Sequence, residues 1–127
     1  SDTIYGGTGS DVILGDVGLD KLYGGVDGVW DTFVFTSGST SKSSPDTVFD
    51  FVAGVDFIDL RQYDSNSTVS GDQAFVFGGQ TAATRGIWCV DVGTDIIIYG
   101  DITGDAVSDF AIRVAGVNPL SIANFFL

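Results

Sequence analysis

Histidine and glutamate are absent from this chain of 127 residues, cysteine occurs once, and lysine and arginine together number five. The missing imidazole removes the Ser–His nucleophile, the HExxH zinc site and histidine acid–base catalysis together. Cys89 stands alone in the apolar run IWCV, so it cannot close an internal disulfide and, with nothing to activate it, reads as a core thiol. So little cysteine suits an extracellular protein without establishing the compartment. No stretch approaches the roughly 18 apolar residues of a membrane-spanning helix. The amino end shows no basic-then-apolar leader, so the expectation is that an export signal lies outside residues 1–127 or is of another type.

In place of glutamate the chain uses aspartate for all seventeen of its acids, and the net charge is -12. The short carboxylate suits tight loops and hard cations. Such a surface repels phosphate backbones and anionic membranes, which excludes nucleic acid as a natural partner and favours a cation. Apolar residues make up 44% of the chain and include ten Phe, enough for a folded protein. The length allows one domain with a modest core, or a compact unit joined to a short repeat stack.

Residues 6–14 read GGTGSDVIL and residues 15–23 read GDVGLDKLY. Aspartate recurs as Asp2, Asp11 and Asp20 and the apolar position as Ile4, Ile13 and Leu22; Asp31 and Phe33 follow after GGVDGVWD, which is two residues longer. Six residues of glycine-rich turn and three of strand make half a coil, so two units return the chain to its starting side after 18 residues and wind a flattened parallel helix of strands. A nonapeptide of this form is a known calcium-binding repeat of parallel β-helices. Its glycines permit backbone conformations that a Cβ excludes, letting successive turns aim carbonyl oxygens into a concavity, while the closing Asp brings charge. Calcium takes about six to eight oxygens at roughly 2.3–2.6 Å, more than one such turn donates, so stacked turns must share an ion. The period predicts that the turn at residues 6–11 lies beside that at 24–31, and that the turn at 15–20 lies on the other edge, beside one ending at Asp2. The expectation is therefore that the chain begins in mid-repeat and continues a longer protein. Glycine and aspartate as plain turn formers are the alternative reading. A phosphate loop fits poorly, because no GKS or GKT follows and Asp11 would repel phosphate.

DTFVF (31–35) closes the repeats and TSGSTSKSSP (36–45) reads as a polar loop. In DTVFDFVAGVDFIDL (46–60) the apolar spacing predicts short strands around a turn at Gly54, with Asp46, Asp50, Asp56 and Asp59 as ion ligands or as ordinary turn and solvent residues. AFVF begins a strand that stops at GGQ; a strand pair at 86–92 and 94–99 follows, turned by VDVG, and DFAIRV lies across the same sheet. Phe75, Phe77, Trp88, Ile96, Ile98, Phe110 and Ile112 are the core candidates of this half, which caps the short stack. GDITGDAVSDF (100–110) sets Asp101, Thr103, Asp105 and Asp109 at relative positions 1, 3, 5 and 9. Ala106 and Ile112 stand where an EF-hand needs glycine and glutamate, so the loop binds an ion without being an EF-hand, or its carboxylates cap backbone amides.

With those residues in view, the chain resembles the carboxy-terminal region of RTX (repeats-in-toxin) proteins, which Gram-negative bacteria export by the type I pathway. GGTGSDVILGDVGLDKLYGG resembles the calcium-binding repeats, PDTVFDFVAGVDFIDL the segment that follows them in serralysin-type proteases, and GDITGDAVSDFAIRVAGV and LSIANFFL the family's terminal segments. The resemblance implies an all-β fold: a short parallel β-roll of calcium-binding repeats over 1–35, then a β-rich capping and secretion-signal region over 36–127. It implies calcium at the carbonyls around Gly6, Thr8, Gly24 and Val26 with the carboxylates of Asp11 and Asp31, and likewise around Gly15, Val17 and Asp20, with Asp2 from the neighbouring turn. Asp16 departs from the pattern at the second glycine, Leu19 at a frequent asparagine, and Asn124 where an acidic residue often precedes the final apolar group. The partners so implied are calcium, the type I secretion machinery and an upstream domain, in a secreted, extracellular setting.

Two other functions fit the sequence less well. No acid/base pair with aromatic substrate walls marks a glycosidase, and an enzyme is expected only upstream. A polysaccharide- or surface-binding module would use Tyr5, Tyr23, Trp30 or Tyr63, with an anionic glycan requiring Arg61, Arg85 and Arg113 to cluster.

Overall fold

The computed structural model describes residues 1–117 and 119–127. Six short strands come first: β1 (Thr3–Tyr5), β2 (Val12–Leu14), β3 (Lys21–Tyr23), β4 (Thr32–Thr36), β5 (Asp46–Phe49) and β6 (Phe57–Gln62). They alternate between two sheets, β1, β3 and β5 pairing in parallel in one and β2, β4 and β6 in the other. This is a parallel roll, and it winds on past residue 35 as far as β6.

The strands are short because each apolar triplet is bounded by a turn, and within each one the residue two after an aspartate points inward. Ile13, Leu22, Phe33, Val48 and Ile58 occupy that place, and all are at most 3% exposed. Ring stacking on the outer face of the first sheet reinforces the register: Tyr5 lies 4.7 Å from Tyr23, which lies 4.6 Å from Phe49.

The later strands are β7 (Val76–Phe77), β8 (Gly86–Val92), β9 (Asp95–Gly100), β10 (Phe110–Val114) and β11 (Phe125–Phe126). The larger sheet has the order β1-β3-β5-β10-β9-β8-β7 and the smaller β11-β6-β4-β2. β10 is the seam, parallel to β5 on one side and antiparallel to β9 on the other. The fold is all-β, with a single turn of 3₁₀ helix among the described residues, at Ile122–Asn124.

Among the expected core residues, Phe75, Trp88, Ile96, Ile98, Phe110 and Ile112 are buried, while Phe77 is half-buried against Phe125, 5.6 Å between ring centres. The expected VDVG turn is shorter than the sequence suggested. Asp91 and Val92 still pair with Ile96 and Asp95, which leaves Gly93 and Thr94 to reverse the chain, Gly93 taking φ 71°. AFVF contributes only Val76 and Phe77 to its strand.

Candidate metal centre

Each coil closes on an aspartate, and the backbone amide of each aspartate donates to the carboxylate one coil further on. On one edge Asp2 N donates to Asp20 Oδ1 at 2.5 Å and Asp20 N to Asp46 Oδ1 at 2.9 Å. Asp46 N then donates to the Thr40 hydroxyl, which itself donates to the carbonyl of Ala111 and so ends the series. On the other edge Asp11 N donates to Asp31 Oδ1 at 3.0 Å and Asp31 N to Asp56 Oδ1 at 2.9 Å. The sequence separations are 18 and 26 on the first edge and 20 and 25 on the second. Longer loops are thus accommodated outside the ladder while the rungs stay in line.

The turns stand where the period places them. Residues 6–11 lie beside 24–31, with Gly6 N on the Tyr23 carbonyl at 2.8 Å and Gly7 N on the Gly24 carbonyl at 3.1 Å. The 15–20 turn lies on the opposite edge beside Asp2, and Lys21 N donates to the Asp2 carbonyl. The first glycine of a turn makes room for the aspartate that closes it. A Cβ on Gly6 would stand 2.7 Å from Asp11 Oδ2 and 2.9 Å from the Gly24 carbonyl oxygen; on Gly24, 2.5 Å from Asp31 Oδ2; on Gly15, 3.1 Å from Asp20 Oδ2. Asp16 replaces a glycine yet adopts the left-handed φ of 57° that the turn requires, a conformation aspartate tolerates better than most residues. The side chains of Thr8, Val17 and Val26 face solvent, so these residues offer the turns only their backbone.

Asp56 fills both its oxygens, Oδ2 accepting from Val52 N at 2.7 Å, but three other aspartates of the ladder do not. Asp11 Oδ2, Asp20 Oδ2 and Asp46 Oδ2 are buried and receive no hydrogen bond. A buried anion without partners is costly, and at Asp46 the cost shows in acidity. Burial raises Asp46 to about 6, helped by the charge of Asp20 and opposed by the amide of Asp20 and the Thr40 hydroxyl. Asp31 is also raised, by burial first and then by Asp56, Asp11 and Asp27, against the amide of Asp11. Oxygen atoms of this kind match the demands of a hard cation. Among the described residues no three His, Cys, Asp or Glu side chains group closely enough to hold a metal by themselves.

Three aspartates of the ladder and its turns lie outside the repeat pattern read from the sequence. Asp46 and Asp56 carry the same signal as the repeats, aspartate followed two residues later by a core residue, in DTVF and DFIDL. Asp27 belongs to the two-residue expansion, where its carboxylate accepts the amides of Gly9 at 2.5 Å and Val29 at 3.0 Å and is held below its usual range by them.

The 101–109 loop is built differently. Asp101 is fully buried, and both its oxygens are satisfied: Oδ1 by the amides of Thr103 and Gly104 and the Thr103 hydroxyl, Oδ2 by the amides of Arg85 and Ala106. Burial alone would raise its pKa, but the bonds from Gly104, Arg85, Ala106 and Thr103 outweigh burial and hold it at about 2. Asp105 accepts from Val107 N and shares the single Thr103 hydroxyl proton with Asp101, and Asp109 accepts from the amides of Ile102 and Thr103. These carboxylates cap backbone amides.

The remaining chemistry is muted. Cys89 is buried, which, with Asp91 nearby, pushes its thiol to about 12 and away from the reactive thiolate. Arg61 forks onto Asp59, Arg113 pairs with Asp95, and Arg85 binds carbonyls, so the three arginines are engaged separately. Tyr63 is a core residue stacked 4.2 Å from Phe110.

Residues 2–127 match the family described as Peptidase M10 serralysin C terminal. No match was found among curated protein sequences. Among solved structures the chain is similar to the solution structure of the AlgE6R3 subunit of the mannuronan C5-epimerase from Azotobacter vinelandii, with a TM-score of 0.64 and 26% identity; the match covers 98% of this chain and 66% of that one. The matched span, together with the parallel roll and its aspartate rungs, makes this chain a member of the serralysin C-terminal family of M10 peptidases, a non-catalytic domain of RTX type.

Proposed function

We propose that this chain is a calcium-dependent folding module that supports the type I secretion and extracellular folding of a larger Gram-negative protein. The observation that carries the reading is the set of buried carboxylate oxygens left without donors at Asp11, Asp20 and Asp46. The carbonyls of Gly6, Thr8, Gly24 and Val26 with Asp11 and Asp31 would hold calcium on one edge, and those of Gly15 and Val17 with Asp20 and Asp2 on the other. Bound there, the ion supplies positive charge that the ladder lacks. Without it, stacked carboxylates and glycine-rich turns favour the unwound chain, the state suited to export. Sites of extracellular type have Kd on the order of 10⁻⁴–10⁻³ M, filling outside the cell and emptying in the cytosol.

Millimolar calcium, about a tenfold excess over the tighter of these Kd values, adds about 1.4 kcal/mol per site, on the order of 5 °C in Tm for a domain of this size. Far-ultraviolet circular dichroism and thermal melts in chelator and in millimolar calcium test this; superimposable curves would overturn the proposal.

A polysaccharide surface is the second reading. The Tyr5–Tyr23–Phe49 stack and the epimerase neighbour favour it. Against it, the stacked rings turn their faces to one another and the arginines do not cluster.

A further inference from the structure

Two acidic constellations in this chain differ in one respect. The roll holds buried carboxylate oxygens with no donor, whereas every oxygen of buried Asp101 is satisfied. Two carbonyls of the 101–109 loop nevertheless turn toward a common point, and the group found there is the guanidinium of Arg85. Its Nη1 donates to the carbonyls of Ile102 at 2.5 Å and Ser65 at 3.1 Å, and its Nη2 to that of Thr103 at 3.1 Å. The guanidinium also packs beneath Gly104, where a Cβ would stand 3.0 Å from Nη2. Arg85 itself adopts a left-handed φ of 51°, unusual for a long side chain and maintained only where surroundings over-determine it. Here they do so twice, through its amide on Asp101 and its guanidinium on three carbonyls.

We propose that Arg85 is the built-in cation of the 101–109 loop, so that this loop, despite its calcium-like spacing of Asp101, Thr103, Asp105 and Asp109, takes no divalent ion. The guanidinium offers several donors in a fixed fork and never loses its charge, which lets it hold a ring of carbonyls in a compartment without calcium. The cap loop is then already set when the roll's rungs are still empty. For its calcium arm the proposal rests on the function proposed above.

The test counts bound calcium per chain for wild type, Asp105→Asn, Arg85→Gln and Asp11→Asn, and follows hydrogen exchange at the amides of Thr103, Gly104, Ala106 and Val107. Asp105→Asn is expected to bind as many ions as wild type. Arg85→Gln is expected either to gain one ion, as calcium enters the vacated carbonyl ring, or to lose about tenfold or more of the loop's exchange protection. Loss of one ion in Asp105→Asn would overturn the proposal, as would an Arg85→Gln protein with unchanged ion count and unchanged protection. If Arg85→Gln does not fold, Arg85→Lys keeps the charge without the fork, and weakened loop protection in that variant supports the proposal while full protection overturns it. Asp11→Asn separates the two claims: if neither it nor wild type binds calcium, the roll's proposed function fails while the exchange measurements still decide the role of Arg85.

Discussion

At the scale of single residues, glycine is required for two different reasons, and substitution separates them. Gly25 combines φ +130° with a Cβ direction that runs into the carbonyl of Gly7 on the neighbouring turn, whereas Gly28, at φ +77°, has nothing within 4 Å. Gly28→Ala is expected to cost only the left-handed strain, about 1–2 kcal/mol. Gly25→Ala adds a backbone collision between coils and is expected to cost clearly more, read as the difference in urea midpoint at saturating calcium. Equal losses would show that the turns do not pack as closely as described. The carboxylates should behave in the opposite sense in two media. Asp11→Asn removes a buried charge whose Oδ2 has no partner, so in chelator the variant is expected to melt higher than wild type; in calcium it loses a ligand and melts lower. A decrease of similar size in both media would mean that Asp11 serves only as a structural acceptor.

At the scale of elements, the roll and the cap loop should respond to pH with opposite signs. Asp46 in the folded chain titrates near 6, above its ordinary 3.8, so folding favours its protonated form. Its contribution to stability is complete below the ordinary value and lost as pH rises through about 6. Asp101, held at about 2, contributes above 3.8 and loses that contribution as pH falls toward 2. In chelator, lowering the pH from about 7 to about 5 is therefore expected to raise Tm, and Asp46→Asn is expected to diminish the rise, leaving the part that belongs to Asp31. A wild-type Tm that is flat over this interval would remove Asp46 as its cause. The same elements show what the sequence could convey. Ile13, Leu22 and Phe33 announce the coils because strict spacing repeats inside a few residues, and the opposed turns follow from the period alone. Val48 and Ile58 continue the pattern at separations of 26 and 25, too irregular to register as a repeat, although the aspartate two residues earlier keeps the signal. Arg85 was legible only as a charge; its role depends on carbonyls of Ser65, Ile102 and Thr103, which sequence spacing does not bring together.

At the scale of the whole molecule, the coils and the antiparallel strands share sheets. β5 pairs with β3 on one side and β10 on the other, and β6 pairs with β4 and with the terminal strand β11. Phe33, Val48, Phe110 and Phe125 belong to one apolar core that crosses this seam. Loss of either part exposes the face of the other, which argues for a single cooperative transition once the rungs carry calcium. The two tryptophans report from opposite ends, Trp30 at 53% exposure in the 24–31 turn and Trp88 buried in β8. In calcium, Trp30→Phe and Trp88→Phe are expected to give fluorescence transitions in urea that coincide with those by circular dichroism for each variant. Phe125→Ala removes a ring that packs on Phe77 and lies opposite Ile58, a loss of about 3 kcal/mol for a buried Phe. Because β11 closes the sheet that holds β2 and β4, this distant substitution should move the Trp30 transition as far as the Trp88 transition. A Trp30 midpoint that stays in place while that of Trp88 falls would divide the molecule into two independently unfolding parts.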